Sequence, residues 1–375
     1  MNKVDAPLKP RILIAPLDWG LGHATRCIPI IRELITKNCE VLLACSGKHE
    51  ALLRQEFPDL HYIPLPGYNI HYGKTKWEFY GKLLLQIPKI LDAIHKENEW
   101  IETAIDEHQL DAVISDNRYG LYSDRIPSVF ITHQLRIQTS LGEKADNFLQ
   151  KFNYHFVDEF SACWIPDTED PFWNLSGSLS HPERKPAIPV HYVGPLTRFD
   201  PQPGIDANKH LLVMLSGPEP QRTVLEETLL SQLRSYNGSV LIVRGLPGET
   251  DPPPAAPAHF TIVNHLPAQA LEAAIREASL VISRCGYSTV MDLVALQKKS
   301  ILIPTPGQTE QEYLAQHLTE KALAFCVPQD GLDIVTAMAL AQEFVYHFPE
   351  FETGNALQKA ISQLLVHVNN CKEAV

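Results

Sequence analysis

The chain has 375 residues, of which 45% are hydrophobic and 20% are charged, and its formal net charge is −12. This length predicts two or three domains with a sizeable core, and the composition excludes an intrinsically disordered chain. The acidic balance argues against nucleic acid as the main partner, because phosphate backbones are bound by clustered Lys and Arg.

Short apolar runs predict six β-strands in each half of the chain. In the first half they lie at residues 12–16, 40–44, 61–65, 112–115, 129–132 and 163–166. In the second half they lie at residues 211–215, 240–243, 260–263, 280–283, 301–304 and 325–327. Helical patterns such as 271–277 and 290–295 separate most of them, which is typical of parallel sheets with helices on both faces. We therefore predict an α/β protein with two Rossmann-like, doubly wound domains that face a cleft.

Composition also suggests where the domains end. Residues 194–204 are rich in Pro and Gly and poor in core residues, which indicates a linker, so we place one domain at residues 1–195 and a second at 196–345. The last 30 residues, 346–375, have a helical pattern. A proline-rich break at 251–257 is expected to be an exposed loop.

The seven cysteines form no C-x-x-C pair. This indicates reduced thiols in a cytoplasmic protein rather than a disulfide framework or a zinc site. The first residues have no apolar signal core, and no run of about 20 uncharged apolar residues occurs, so neither a signal peptide nor a transmembrane helix is expected.

The segment 283–292 in the second half begins where a predicted strand ends and runs into a helix. Gly286 permits a sharp turn there. Ser288 and Thr289 offer hydroxyls and backbone N–H groups at the helix start, which is a ready anion site. Asp292 lies one helical turn further on, within reach of a ribose diol.

The loop 304–313 follows the next predicted strand and leads to Gln311 and Glu312, whose amide and carboxylate suit sugar hydroxyls. Groups for a diphosphate, a ribose and a sugar in this order predict a nucleotide-sugar pocket. The alternative interpretation is an ordinary strand-turn-helix repeat.

These two segments resemble the donor site of family-28 glycosyltransferases, which include the peptidoglycan enzymes that add N-acetylglucosamine to an undecaprenyl-linked acceptor. That family has the same Ser-Arg-x-Gly-x-x-Thr-Val-x-acidic run, followed by Gln-Gln where this chain has Gln311-Glu312. The resemblance implies that Ser283 lies near the diphosphate with Ser288 and Thr289, that Asp292 binds the ribose, and that Gln311 and Glu312 face the donor sugar. The departure from Gln at position 312 leaves the sugar open.

The resemblance also implies the two-domain GT-B fold. The domain at 1–195 would be the acceptor side, the domain at 196–345 would bind the nucleotide sugar, and the helix at 346–375 would cross back to the first domain. The implied activity is inverting hexosyl transfer from a nucleotide-diphosphate sugar, expected to be a UDP-sugar, with no cofactor.

A glycine turn follows the first predicted strand, in the segment 18–26. Gly20 and Gly22 let backbone N–H groups face a ligand, and His23 lies near the start of the next helix. A dehydrogenase would have Gly where Thr25 stands, so nicotinamide binding is not expected. Gly-x-Gly-His resembles the glycine loop of GT-B transferases, which faces donor phosphates and acceptor. The alternative for His23 is a helix-capping or core histidine.

Two further loops carry polar groups to the expected cleft, at residues 115–120 and 132–134. His133-Gln134 resembles the His-Glu opening of the family's acceptor loop. An inverting transfer needs one base within reach of the acceptor hydroxyl, and His23, Asp116 and His133 are all candidates. The alternative is turn chemistry, which Asp, Asn and Gly favour.

Three more residues follow strands of the second half. Arg222, in a loop that matches the family's glycine loop poorly, and Arg244 could each neutralise phosphate or lie on the surface. His265 stands where family members cradle the base. No Asp-x-Asp pair occurs in the chain, so we expect no essential metal, with a helix dipole and backbone donors stabilising the leaving group.

Aromatic and basic residues alternate between residues 72 and 89. Such a segment suits an interfacial helix on anionic lipid, and the alternative is an ordinary packed helix with solvated lysines. The first interpretation predicts a peripheral enzyme on the inner face of the cytoplasmic membrane with a lipid-linked or glycan acceptor.

Two other classes of protein share the predicted architecture. One is a non-hydrolysing UDP-sugar 2-epimerase, which needs carboxylates and an arginine in the first-domain cleft that we cannot assign from the sequence. The other is a catalytically silent protein that binds a sugar nucleotide or a lipid. Turnover of a UDP-sugar to UDP separates a transferase from both.

Overall fold

A computed structural model describes residues 9–18, 20–67, 76–139, 142–200, 209–351 and 355–373, with the backbone alone for 76–87. Its first domain holds a parallel sheet of seven strands in the order β3-β2-β1-β4-β5-β6-β7. These strands are β1 (Arg11–Pro16), β2 (Glu40–Ala44), β3 (His61–Ile63), β4 (Ala112–Asp116), β5 (Ser128–Ile131), β6 (Ala162–Ile165) and β7 (Val190–Tyr192). The helices between them are α1 (Leu21–Thr36), α2 (Lys48–Glu56), α3 (Lys76–His108) and α4 (Glu143–Val157).

The second domain repeats the design with a parallel sheet of six strands in the order β10-β9-β8-β11-β12-β13. The strands are β8 (His210–Met214), β9 (Val240–Val243), β10 (Phe260–Val263), β11 (Ala278–Arg284), β12 (Ser300–Ile303) and β13 (Phe325–Cys326). The helices are α5 (Gln221–Gln232), α6 (Ala268–Glu277), α7 (Tyr287–Ala295), α8 (Thr309–Glu320), α9 (Ile334–Glu343) and α10 (Asn355–Glu373). The predicted fold of two doubly wound parallel sheets is confirmed.

Each strand predicted from an apolar run overlaps a strand of the structure. The sequence prediction missed β7, because Val190-His191-Tyr192 is a short edge strand whose residues are all half-buried, without a continuous apolar run. Buried parallel strands are apolar on both faces and therefore easy to find, whereas an edge strand is not.

The two domains share one apolar cluster rather than meeting through polar surfaces. It contains core residues of α1, such as Ile28 and Ile31, together with Val290 and Met291 of α7. The final helix, α10, adds Ile361 and Leu364 to the same cluster. The outer faces of the two sheets are covered separately, the second by α5 and α9. The starts of α1 and α7 are thereby held close together between the sheets.

Lys372 at the end of α10 forms an ion pair of 2.8 Å with Asp111 beside β4. This helix therefore contacts the first domain. Within the part of the chain given above, no helix is both long and apolar enough to cross a membrane. The side chains at 72–87, which the sequence predicts to contact lipid, lie outside the described residues.

Candidate functional site between the two sheets

The crevice of each sheet lies where the strand order changes direction. In the first sheet this point lies between β1 and β4, and in the second between β8 and β11. Ligands of open α/β sheets bind beyond the carboxyl ends of the strands at such points. The ends of these four strands and the helix starts that follow them carry most of the candidate residues, so the topology brings them to one place.

The starts of α1 and α7 are in direct contact across the domain boundary. Ser288 Oγ donates a hydrogen bond to the carbonyl of Gly22 at 3.0 Å. A Cβ atom at Gly22 would lie 2.7 Å from that hydroxyl, so any larger residue would have to displace the Ser288 side chain and break this contact. Gly20 precedes α1 with φ 101°, a left-handed conformation that also favours glycine. The two glycines predicted to form a ligand loop thus shape the junction of the domains.

Asp116, at the end of β4, is the centre of a buried polar cluster in the first domain. Arg26 donates from Nε to Asp116 Oδ2 at 2.8 Å and from Nη2 to Oδ1. His23 Nδ1 lies 3.2 Å from the same Oδ2. The side chains of Asp116 and Arg26 are 0% and 2% exposed, whereas that of His23 is 15% exposed. His23 is therefore the member of this cluster that can meet a substrate.

His133 joins the cluster from the loop after β5 and links it to the second domain. Its Nδ1 lies 3.2 Å from Arg26 Nη1, and its Nε2 lies 2.7 Å from Glu310 Oε1. Glu310 belongs to the first turn of α8. The imidazole ring stacks on Tyr287 of α7, with 4.1 Å between ring centroids and 6° between planes. All three residues proposed as base candidates are thus brought together.

Burial and neighbouring charges act against each other at these groups. Burial alone would raise the pKa of Asp116, but Arg26 and then His23 outweigh it and hold the pKa at about 2. Burial lowers the pKa of His23, and Asp116 offsets this only in part while Arg26 adds to it. Burial would likewise raise the pKa of Glu310, but His133 brings it below its usual value. The cluster therefore holds ionised carboxylates and a neutral His23 near pH 7.

The start of α7 is the place where the sequence predicts an anion site. Its cap residue Gly286 makes no side-chain cap, which leaves the first backbone N–H groups of the helix open to another partner. Gly286 was expected to permit a sharp turn, but its φ of −83° is an ordinary value that does not require glycine. Thr289 is half-buried at the helix start. Ser283 instead donates its hydroxyl to the carbonyl of Met214 at 2.9 Å, bracing β11 on β8.

Asp292, predicted to bind a ribose, faces the linker between the domains. Its Oδ1 accepts a hydrogen bond of 2.8 Å from the Thr197 hydroxyl, and its Oδ2 lies 3.4 Å from Arg198 Nε. Burial raises the pKa of this carboxyl, and Arg198 opposes that effect. The acid is therefore engaged by the linker.

The positive charges predicted for the phosphate are paired within the second domain. Arg222 binds Glu219 at 2.5 Å and Glu226 at 2.9 Å. Arg244 binds the same Glu226 at 2.6 Å and Asn264 at 2.9 Å. Both arginines are therefore paired, because Glu219 and Glu226 together balance the two positive charges.

His265 is half-buried after β10. Burial lowers its pKa, and the nearby Arg198 adds to the effect. A neutral imidazole at this place has donor and acceptor capacity for a base edge or a backbone group.

Gln311 and Glu312 brace the loop between β12 and α8. Gln311 Oε1 accepts from the backbone N–H of Thr305 at 2.9 Å, and Glu312 Oε1 accepts from that of Gly307 at 3.0 Å. Both side chains are half-buried. They shape the loop that the sequence analysis assigned to the donor sugar.

Arg26, Glu310 and Tyr287 were missed by the sequence analysis. Arg26 lies one helical turn after His23, and this i, i+3 spacing is a signal that could have revealed it. Nothing in the sequence connects Glu310 or Tyr287 with His133, because they meet only through the packing of two domains. No three His, Cys, Asp or Glu side chains are arranged to hold a metal ion among the residues that the structure describes.

Comparison with known proteins agrees with this architecture. Residues 259–345 match the model of the glycosyltransferase family 28 C-terminal domain. An uncharacterized glycosyltransferase of Methanosarcina acetivorans is 20% identical over 331 residues, which cover 83% of this chain and 84% of that protein. The UDP-N-acetylglucosamine–N-acetylmuramyl-(pentapeptide) pyrophosphoryl-undecaprenol N-acetylglucosamine transferase of Synechocystis is 30% identical over 130 residues, 34% of this chain and 36% of that protein.

Solved structures show the same fold at low identity. The glycotransferase of kitacinnamycin superposes with a TM-score of 0.63 at 14% identity, covering 98% of this chain and 96% of the other. MurG of Acinetobacter baumannii superposes with a TM-score of 0.55 at 15% identity, covering 96% of this chain and all of the other. The two parallel-sheet domains thus give the chain the GT-B fold of glycosyltransferases, and its second domain matches the family-28 C-terminal domain.

Proposed function

We propose that this glycosyltransferase moves a sugar from a UDP-sugar to an acceptor hydroxyl, with inversion at the anomeric carbon and without a metal ion. The observation that carries the proposal is the contact between Gly22 and Ser288. It sets His23, the residue after Gly22, beside the open helix start of α7. A candidate base and a candidate anion site therefore share one crevice.

The proposed reaction divides between the two domains. His23 Nε2 takes the proton of the acceptor hydroxyl as its oxygen attacks the anomeric carbon. The bond between that carbon and the diphosphate oxygen breaks, and the electron pair leaves with the diphosphate. Asp116 stabilises the imidazolium that forms, since its carboxylate lies 3.2 Å from Nδ1. A fully buried carboxylate cannot itself reach an acceptor, which is why we assign the proton transfer to His23.

The donor would lie along α7 and the loop before α8. Backbone N–H groups at the start of α7, with Ser288 and Thr289, would receive the diphosphate, because a helix N-terminus favours anions. Asp292 would bind the ribose after releasing Thr197, and Gln311 and Glu312 would face the sugar. Stabilisation of the leaving group by the helix predicts that EDTA leaves turnover unchanged.

For the acceptor we propose a hydroxyl on a lipid-linked sugar or a glycan. The matched relative of Synechocystis carries a pyrophosphoryl-undecaprenol acceptor in its name. The alternation of aromatic residues and lysines between 72 and 89 supports reversible contact with anionic lipid. Co-sedimentation with anionic and neutral vesicles at low and high salt tests this part. Protein that stays in the supernatant with every vesicle type would indicate a soluble acceptor.

The function itself is tested by a thermal-shift panel of nucleotides and nucleotide sugars, followed by an assay of nucleotide release. A ligand that binds only the folded state raises the melting temperature, so UDP and one UDP-sugar should shift it most. That UDP-sugar should then yield UDP in the presence of an acceptor. Conversion of the UDP-sugar to an epimer without UDP release would instead identify an epimerase, and binding without any conversion would identify a silent binding protein.

A further inference from the structure

His23 has two neighbours that require opposite roles of the same nitrogen. Arg26 Nη2, which can only donate, lies 2.9 Å from His23 Nδ1. Asp116 Oδ2, which as an ionised carboxylate can only accept, lies 3.2 Å from the same nitrogen. A neutral imidazole has one N–H and one lone pair, so Nδ1 can serve only one of them. That choice decides whether Nε2, on the opposite side of the ring, carries a proton or a lone pair.

Arg26 has donors for all of its neighbours at once. A guanidinium carries five N–H groups in one plane. Arg26 directs Nε and one N–H of Nη2 to the two oxygens of Asp116. The second N–H of Nη2 is then available for His23 Nδ1, and Nη1 lies 3.2 Å from His133 Nδ1. One planar group thus touches both histidines of the cleft at the same ring position.

We propose that Arg26 is a positioning residue that places the proton of both cleft histidines, His23 and His133, on Nε2 in the ligand-free protein. The proposal rests on the transferase function and deepens it. Two observations favour Arg26 over Asp116 as the partner of His23 Nδ1. The contact with Arg26 is the shorter one, and both oxygens of Asp116 already accept hydrogen bonds from Arg26.

The position of Glu310 fits this assignment. With Nδ1 of His133 accepting from Arg26, Nε2 carries the proton and donates to Glu310 Oε1, 2.7 Å away. A chain of hydrogen bonds therefore runs from Asp116 through Arg26 and His133 to the second domain.

The consequence for His23 is that it faces the cleft with an N–H group while Arg26 holds Nδ1. It becomes a base only when Nδ1 donates a hydrogen bond to Asp116 instead of accepting one from Arg26. Both partners already lie within hydrogen-bond distance, so the exchange needs no movement of the domains. One proton leaves Nε2 for water and one arrives at Nδ1 from water, and the charge of the ring stays the same. Arg26 therefore separates a resting form of His23 from a basic form.

The charged and titratable groups around His23 leave the ring neutral. They are Arg26 on its own helix, Asp116 on β4, His49 on α2 and Glu310 on α8. Burial, together with Arg26 and His49, lowers the pKa of His23 more than Asp116 raises it. The neutral tautomer is consequently the form to be measured near pH 7.

Long-range ¹H–¹⁵N correlation NMR of the full chain, labelled at histidine, reads the tautomer of each ring directly. The chain has 16 histidines, so His23→Gln and His133→Gln variants assign the two signals. We expect both rings to be protonated on Nε2 in the wild-type protein. A wild-type His23 that is protonated on Nδ1 would overturn the proposal without any variant of Arg26.

The arginine itself is tested by Arg26→Lys and Arg26→Met. Lysine keeps a positive charge for the buried Asp116 and therefore protects folding. It cannot reach both histidines. In either variant we expect the His23 proton to move to Nδ1, where Asp116 accepts it. Arg54→Met, which removes an exposed arginine on α2, is the matched control and should change neither tautomer. An unchanged tautomer in a folded Arg26→Lys protein would contradict the proposal.

This experiment is independent of the proposed function. If both rings are protonated on Nε2 but the protein binds no nucleotide sugar, the proposed role of Arg26 stands and the transferase function is rejected. If the protein releases UDP from a UDP-sugar but His23 is protonated on Nδ1 without ligand, only the proposed role of Arg26 is rejected.

Discussion

Asp116→Asn is the most informative single substitution in the first domain, because this carboxylate is fully buried and binds Arg26 through both oxygens. Asparagine keeps the shape of the side chain and removes its charge. The Arg26 guanidinium would then be buried without a counter-ion. Removing one partner of a buried ion pair costs about 3–5 kcal/mol.

The pKa of Asp116 gives a second route to the magnitude. Its pKa is about 2 in the folded protein, and an aspartate in an unfolded chain has a pKa of about 3.9. Because the folded-state pKa is the lower one, the charge stabilises the fold fully above pH 4 and this contribution is lost as the pH falls toward 2. A difference of about two pKa units corresponds to about 2.6 kcal/mol. Both routes therefore predict a loss of about 3 kcal/mol at pH 7.

Urea unfolding measures this loss as a shift of the midpoint at constant m-value. Asp59→Asn is the matched control, since Asp59 is exposed, and it should change the free energy of unfolding by less than about 0.5 kcal/mol. The gap between wild type and Asp116→Asn should narrow between pH 4 and pH 2. An Asp116→Asn protein as stable as the wild type at pH 7 would refute the central role of this carboxylate.

Three further predictions test the cleft from other sides, two of them with a matched control substitution. His23→Ala should keep donor binding but lower UDP release by roughly 10²-fold or more, because it removes the proposed base; normal release by the folded variant would make His23 a structural group. Asp292→Ala should weaken UDP binding by about 1–3 kcal/mol in titration calorimetry. Thr197→Val removes the hydrogen bond from the linker to Asp292, together with one that Thr197 accepts from the backbone N–H of Phe199. It frees the carboxylate and should leave UDP binding at least as tight as in the wild type, and equal affinity in both variants would assign Asp292 to the linker alone. Gly22→Ala places a Cβ atom 2.7 Å from Ser288 Oγ and should lower the free energy of unfolding by about 1–3 kcal/mol. Gly286→Ala is the control and should lower it little, because its Cβ atom would meet no atom within 4 Å. Similar losses in both variants would contradict the close approach at Gly22.

The architecture could be predicted from the sequence because parallel strands are buried on both faces. The runs that became β1, β11 and β12 are apolar without interruption, and the loops after them contain the glycines and polar residues of the site. The observed strand order places the ends of β1, β4 and β11 at the switch points of the sheets, and it brings His23 and Asp116 to the same rim.

The partners of these residues could not be predicted, because they depend on packing between distant segments. Asp292 is separated from Thr197 by 95 positions, and His133 from Glu310 by 177. Arg222 and Arg244 were expected near phosphate, and only the fold shows that Glu226 pairs with both of them and Glu219 with Arg222. Sequence patterns indicate which side chains are polar and lie at a strand end, but not which of them are already paired.

Release of UDP from a UDP-sugar by the wild-type chain and by His23→Ala, at equal donor saturation and with EDTA present, tests the proposed transfer itself. We predict release by the wild type and a loss of roughly 10²-fold or more in the variant, as expected when acid–base assistance is removed. Release at equal rates in both proteins, or no binding of any nucleotide sugar by the wild type, would contradict it.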